Sequence, residues 1–157
     1  MNKKKIIKIS VILVGLGLIT AGIVAYYMFN MPQRDVQATK ADFSLSSTQI
    51  VNEYLSNADS ANEKYLQEEG DSKILSVTGT IFSISKDQNN QVVILLKDAS
   101  EKAGVSCTFT VATNGNTTKL KIGEKITVKG VIRSGAGFDE DLELYEDVIM
   151  EKCDIVK

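Results

Sequence analysis

The chain has 157 residues, of which 43% are hydrophobic and 24% charged, and this length suits a single domain. It contains no His and only two Cys, which excludes His-based catalytic triads, His-ligated metal centres and four-thiolate zinc sites. The formal net charge of -2 is the sum of a basic amino-terminal region and an acidic remainder. Residues 1–30 carry four Lys and no acid, whereas residues 31–157 carry six more acidic than basic side chains. We therefore expect no enzyme, no cofactor and no metal ion.

The amino-terminal region predicts a membrane anchor. Residues 9–29 contain no charged side chain, and a helix of this length spans roughly 30 Å, the thickness of the hydrocarbon core. The lysines within residues 1–8 predict a cytoplasmic stub, since positive charge stays on the inner side. The alternative is a cleaved secretory signal, whose apolar core is usually about 7–15 residues long. The expected location is the inner membrane, single-pass, with the rest of the chain extracytoplasmic (periplasmic).

The exported part divides into a linker and a domain. Residues 30–45 are polar and contain the only Pro, which predicts a tether, and residues 46–157 form the domain. Ser46 to Gln49 fits a helix-capping box, and apolar residues follow at helical spacing. Residues 57–60 could interrupt this segment, which leaves one helix or two short ones open, and Gly70 is a helix stop.

After residue 70 the spacing of apolar residues changes from a helical to an alternating pattern, which predicts a mainly β fold. Five segments of alternating or continuous apolar residues follow within about 85 residues, with no long helix between them. Val77–Ile81 and Val128–Ile132 share the pattern V-x-G-x-I. A glycine in the middle of a strand indicates a kink where a sheet coils to close. The pattern predicts a small five-stranded barrel that follows the helical segment.

The last predicted strand, residues 142–155, changes its alternation. Leu142, Leu144 and Met150 share one face, whereas Cys153 falls on the other. We expect a β-bulge between Met150 and Cys153, because an extra residue would turn both side chains inward.

Several short motifs follow one another in the exported part: Ala61-Asn62-Glu63-Lys64-Tyr65, Leu75-Ser76-Val77-Thr78-Gly79, Val105-Ser106-Cys107-Thr108-Phe109, Leu120-Lys121-Ile122-Gly123, Ile126-Thr127-Val128-Lys129-Gly130 and Val148 through Cys153. In this order they resemble the tRNA-anticodon-binding-like OB-fold family of bacterial membrane-anchored proteins and lipoproteins of unknown function. The resemblance implies an OB barrel preceded by a helix, carries over no catalytic residues, and covers roughly residues 42–156.

In such a barrel the strands carrying Cys107 and Cys153 are neighbours, so the two thiols could form a disulfide in an oxidising compartment. Two buried free thiols are the equal alternative.

Binding is the expected function. The main hypothesis is an extracytoplasmic module for an envelope protein, a peptide or a small ligand, and the alternative is a scaffold within a membrane complex. Single-stranded nucleic acid is disfavoured, because the exported part is acidic and one exposed aromatic residue, Phe82, does not make a stacking platform. The candidate binding loop contains Ser134, Phe138, Asp139, Glu140 and Asp141.

Overall fold

The computed structural model describes the backbone of residues 3–30, 34–66 and 72–156, and the side chains from Leu13 onwards within those ranges. The chain forms two compact units, Met1–Arg34 and Asp35–Lys157. The first contains helix α1, Lys3–Phe29. In the part of the chain whose side chains are described, no helix is long and apolar enough to cross a membrane.

The second unit is a closed five-stranded β-barrel with two helices packed on its core. Strand β2 pairs antiparallel with β3 and also with β5, and this second pairing closes the barrel in the order β2-β3-β4-β8-β5-β2. Only β4 and β8 are parallel neighbours within the barrel. The strands are β1 (Phe43–Ser46), β2 (Ile74–Lys86), β3 (Val92–Leu96), β4 (Val105–Phe109), β5 (Lys125–Ser134), β6 (Gly137–Asp139), β7 (Leu144–Glu146) and β8 (Val148–Ile155).

The helical segment is broken into α2 (Ser47–Ser56) and α3 (Ala58–Tyr65). Asn57 is the break: its backbone is extended, and its side-chain oxygen accepts a hydrogen bond from Ser60 N. Ser46 caps α2 through Gln49 N at 3.1 Å. Two short helices therefore form because an Asn both ends one helix and starts the next. The predicted stop at Gly70 lies outside the described residues.

Most of the predicted linker, residues 30–45, is part of the barrel unit. From Asp35 the chain belongs to the barrel unit, and β1 pairs in parallel with β2. Val36 is buried against Ile74 and Val131, and Lys129 Nζ donates to Gln37 O at 2.6 Å. Buried Val36, the hydrogen bond from Lys129 and the pairing of β1 therefore hold a polar segment against the barrel, although its composition predicts a free tether.

The barrel core is continuous with the buried faces of α2 and α3, because Ile50 and Tyr65 belong to the same apolar cluster as the strand residues. Gly79 and Gly130 make room for this packing. A Cβ at Gly79 would lie 2.6 Å from Ser47 Oγ, and one at Gly130 would lie 2.6 Å from Cys153 Sγ. The register of β5 against β8 shifts beside Gly130. Both glycines of the V-x-G-x-I motifs thus permit close approach.

The predicted bulge in β8 is confirmed. The register against β4 shifts between Met150 and Cys153, and Lys152 has a φ of 53°. Both Met150 and Cys153 are fully buried. The inward face predicted for Leu142 and Leu144 is wrong, since these side chains are 66% and 45% exposed.

The reason for that error is a turn. Residues 140–143 form a turn, Glu143 has a φ of 52°, and β7 then pairs with β6 in a separate two-stranded hairpin. Leu144 therefore belongs to the hairpin, and the barrel strand β8 begins only at Val148.

Candidate ligand cavity under the β6–β7 hairpin

The connection between the last two barrel strands, β5 and β8, carries the β6–β7 hairpin, which holds an aromatic pair of one exposed ring, Phe138, and one partly buried ring, Tyr145. Phe138 and Tyr145 are cross-strand partners, with ring centroids 4.9 Å apart. Phe138 is 51% exposed. Facing aromatic side chains on paired strands stabilise each other. Here the Phe138 ring is exposed to solvent, whereas the Tyr145 ring also packs against the barrel core.

Beside this hairpin lies a cavity of about 510 Å³, a size at which proteins commonly hold ligands. We call it the hairpin cavity. One wall is the junction of α2 and α3, and the other is the hairpin. Its lining residues are Tyr54, Leu55, Ser56, Asn57, Ala58, Lys102, Ala136, Gly137, Phe138 and Tyr145.

Tyr54 is the most unusual residue of the cavity wall. It is only 2% exposed, and its hydroxyl is buried with no hydrogen-bond partner among the described residues. The ring packs directly against the backbone of Gly135. Burial, reinforced by the neighbouring Tyr65, raises the pKa of Tyr54 to about 12. The hydroxyl is therefore neutral at physiological pH and keeps a proton to donate.

Lysine side chains lie on the rings of Tyr145 and Phe82. Lys102 Nζ donates to Tyr145 Oη at 3.1 Å and lies 5.0 Å from the centre of that ring. Lys97 Nζ donates to Lys102 O at 3.1 Å and lies 5.7 Å from the Phe82 ring centre. Phe82 itself is 48% exposed. The connection between β3 and β4 thus supplies a cation to each of two separate aromatic sites.

The hairpin is strongly acidic. Between Gly137 and Asp147 there are six acidic side chains and no basic one. Asp139 Oδ1 accepts from Asp141 N and Leu142 N, and Asp147 Oδ1 accepts from Gly104 N at 2.6 Å, so these two hold backbone in place. The other four are exposed and project negative charge into solvent: Glu140, Asp141, Glu143 and Glu146. Among the described residues no acidic or cysteine cluster has the arrangement of a metal site.

The predicted binding loop is only partly brought to the cavity. Phe138 lines it. Ser134 is exposed, with its hydroxyl 3.4 Å from Gly135 O, and Glu140 and Asp141 lie in the exposed turn of the hairpin.

Sequence reasoning missed Tyr54, Lys102 and Tyr145. From the sequence, Tyr54 belongs to the apolar stripe of the helix, and in the structure it does pack in the core. The signal for the aromatic pair was available, because two rings seven residues apart flank an acidic turn and a hairpin would place them opposite each other.

A second cavity, of about 500 Å³, lies between α2 and α3 around Glu53. Glu53 Oε2 accepts from Lys64 Nζ at 2.8 Å and from Tyr65 Oη at 2.7 Å, and Oε1 accepts from Gln49 Nε2. These bonds, those from Lys64 and Tyr65 foremost, hold the pKa of Glu53 below its ordinary value. Since its charge is already satisfied within the chain, Glu53 serves to join the two helices.

The two cysteines lie side by side in the core. Cys107 and Cys153 are fully buried and their thiols are free in this structure. Burial, followed by a hydrogen bond with the Cys107 thiol, raises the pKa of Cys153 well above its ordinary value. The pair packs as two small apolar groups.

If the barrel strands β2, β3, β4, β5 and β8 are numbered 1 to 5 in chain order, their order around the barrel is 1-2-3-5-4-1. A closed barrel of this order, preceded by helices, defines an OB-fold domain, a class whose ligands contact the loop between the fourth and fifth strands. The family model described as tRNA_anti-like matches residues 1–142, and the chain belongs to this family.

Among solved structures, the chain is similar to a "putative nucleic acid-binding lipoprotein" from Klebsiella pneumoniae. The two are 18% identical, the match covers 73% of this chain and 91% of that one, and the TM-score is 0.54. At this identity the likeness concerns the fold alone. No curated protein sequence matches the chain.

Proposed function

We propose that this protein is a membrane-anchored, extracytoplasmic binding module, not an enzyme, and that it holds its ligand in the hairpin cavity. One observation carries the proposal: Tyr54, whose buried hydroxyl has no partner among the described residues, lines a cavity bordered by exposed Phe138. A buried polar group left unpaired costs about 1–3 kcal/mol. A ligand that supplies an acceptor to Tyr54 and covers the rings removes that cost and buries apolar surface.

The position of the cavity supports the same proposal. It lies at the connection between the fourth and fifth barrel strands, where OB-fold domains commonly take oligonucleotides and oligosaccharides. The wall is built from both helices and strands, with Gly135 packed on Tyr54. A site supported in this way is held ready before its ligand arrives.

The anchor is the second part of the proposal. Residues 9–29 carry no charge, α1 continues to Phe29, and its described large apolar side chains, from Leu13 onwards, are exposed. A bilayer would cover them. The lysines before residue 9 support a location of the barrel on the outer side, because positive charge stays on the inner side. The lipoprotein character named for the Klebsiella pneumoniae protein is consistent with attachment to a membrane.

A photocrosslinking experiment tests the site. Benzoylphenylalanine replaces Phe138 in the full-length chain expressed in its own cells, and in a matched strain it replaces Phe82, an equally exposed ring outside the cavity. We expect a discrete adduct at 138 with a yield several-fold above that at 82. Equal yields at both positions, or no adduct at 138, would overturn the proposal.

A further inference from the structure

A third cavity, of about 540 Å³, lies on the outer surface of the barrel, and none of its lining residues lines the hairpin cavity. We call it the outer-face cavity. The residues on either side of Ser76, Leu75 and Val77, are fully buried, so the Ser76 side chain points outwards. The floor is a row of four polar residues that are direct neighbours across four strands: Ser44 in β1, Ser76 in β2, Lys129 in β5 and Asp154 in β8.

Lys129 brings a fixed positive charge to this floor. Its Nζ donates to Gln37 O at 2.6 Å and to Thr39 O at 3.1 Å, and within the described ranges no carboxylate forms an ion pair with it. An ammonium group has three protons, so one more can be donated to a ligand. The two carbonyls orient the charge without neutralising it, and the cavity is therefore ready for an anion.

Three further donors line the cavity beside Lys129. Lys40 is exposed, and its ammonium group has no carboxylate partner in the part of the chain that the structure describes. The hydroxyls of Ser44 and Ser76 make no hydrogen bond to the described residues. Donors on several sides suit a tetrahedral phosphate, whose oxygens point in several directions, better than a planar carboxylate.

Asp154, at the end of the row, sets a second requirement. Its Oδ1 accepts from Asn116 Nδ2 at 2.7 Å and from Ile155 N at 2.8 Å, whereas no described group donates to Oδ2. A carboxylate repels a bare anion but accepts a hydrogen bond from a hydroxyl group. Ser76 and Asp154 are two strand spacings apart, about 10 Å. A ligand with a phosphate at one end and hydroxyls at the other matches both.

We infer that the outer-face cavity binds a phosphate ester that carries hydroxyl groups, such as a sugar or polyol phosphate. Lys40, Lys129 and the hydroxyls of Ser44 and Ser76 bind the phosphate, and Asp154 accepts from a hydroxyl of the ligand. A soluble ester and the headgroup of a polyol phospholipid share this chemistry. The inference goes beyond the proposed function, because it adds a second ligand at a separate site.

The test is calorimetric titration of the full-length chain in nanodiscs of phosphatidylcholine, whose headgroup carries no hydroxyl, at about 150 mM salt to screen weak surface attraction. Glucose 6-phosphate is the probe. The comparison ligands are glucose, inorganic phosphate and glucuronate, which carries a carboxylate in place of the phosphate-bearing carbon. We expect one glucose 6-phosphate per chain, no binding of glucose, and binding of the other two that is weaker by about fivefold or more.

Two substitutions remove donors from the cavity without breaking a hydrogen bond among the described residues. Lys40→Met and Ser76→Ala should each weaken glucose 6-phosphate binding about three- to tenfold. The matched Lys86→Met and Ser83→Ala, on β2 outside the cavity, should change it by less than about twofold. Equal losses in Lys40→Met and Lys86→Met would show general attraction to lysines and would overturn the inference.

Asp154→Asn separates the two parts of the ligand. Loss of the negative charge should tighten the binding of inorganic phosphate, because a repulsion is removed. The advantage of glucose 6-phosphate over inorganic phosphate should shrink at the same time, because a neutral acceptor binds a hydroxyl less strongly than a carboxylate does. An unchanged advantage would contradict the contact between Asp154 and a ligand hydroxyl.

The source of the ester is identified by replacing half of the phosphatidylcholine with phosphatidylglycerol, whose headgroup joins a phosphate to hydroxyls. Weaker binding of glucose 6-phosphate in these nanodiscs, but not in those made with Lys40→Met protein, assigns the cavity to a lipid headgroup. Unchanged binding assigns it to a soluble ester. No binding of glucose 6-phosphate in phosphatidylcholine nanodiscs would overturn the inference, whatever the crosslinking at residue 138 shows for the hairpin cavity.

Discussion

The backbone of Gly135 lies directly against the ring of Tyr54, so closely that a Cβ at residue 135 would overlap ring atoms Cδ1 and Cε1. This contact joins α2 to the chain segment that leads into the β6–β7 hairpin. It holds the Tyr54 ring in the cavity wall with its hydroxyl buried. The shape of the hairpin cavity therefore depends on a residue that has no side chain.

Gly135→Ala should destabilise the protein by about 1–3 kcal/mol, because the added methyl forces the Tyr54 ring or the loop to move. The measurement is urea unfolding followed by circular dichroism. Gly137→Ala is the matched control two residues away, since a Cβ there would meet only Glu146 Oε2 at 3.9 Å. Equal losses in the two variants would contradict the close packing of Gly135 on Tyr54.

Glu53 makes the stability of the helical pair depend on pH. Hydrogen bonds from Lys64 and Tyr65 lower the pKa of Glu53 in the folded state. Its stabilising contribution is therefore complete above the ordinary carboxyl pKa and is lost as the pH falls through the lowered value. Between about pH 5 and pH 3, the melting temperature of the wild type should fall towards that of Glu53→Gln.

The control for Glu53→Gln is Glu63→Gln, which removes an exposed charge from α3 without touching this network. Thermal unfolding at several pH values from 3 to 7 measures both differences. A gap between the wild type and Glu53→Gln that stays constant down to pH 3 would show that the carboxylate of Glu53 contributes nothing through its charge.

The two thiols should be inert in the folded protein. Cys107 and Cys153 are fully buried, and the pKa of Cys153 is raised by burial, so neither access nor thiolate is available to a labelling reagent. A maleimide should label the native chain only at the rate of unfolding and should label two thiols per chain in denaturant without reductant. Rapid labelling of native protein would contradict the burial, and no labelling in denaturant would reveal a disulfide.

The proposed anchor predicts how the protein fractionates. Full-length protein should remain with membranes after alkaline carbonate extraction. Its release would require the uncharged residues 9–29 to move from the hydrocarbon core into water, which is unfavourable. A variant lacking residues 1–30 should be recovered without membranes. In spheroplasts, added protease should degrade the barrel, and protection of the barrel would contradict an extracytoplasmic location.

The alternation of buried side chains predicted the barrel well, including the β8 bulge, because inward positions such as Met150 and Cys153 must reach one core. The β6–β7 hairpin could not be predicted from this alternation. Leu142 and Leu144 continue the alternation of a strand, and only the tertiary pairing of β6 with β7 turns them outward. Tyr54 could not be recognised as a cavity residue, since a tyrosine in an apolar helix stripe looks the same whether or not its hydroxyl finds a partner.

The most direct test uses the absence of Trp from the chain. Phe138→Trp places a single fluorophore on the hairpin, and Phe82→Trp places one on the other exposed aromatic site. When each variant is purified in mild detergent from its own cells with its ligand bound, removal of the ligand by unfolding and refolding should shift the emission of Phe138→Trp and leave that of Phe82→Trp constant. An equal shift in both variants, or no shift in Phe138→Trp, would contradict a ligand held in the hairpin cavity.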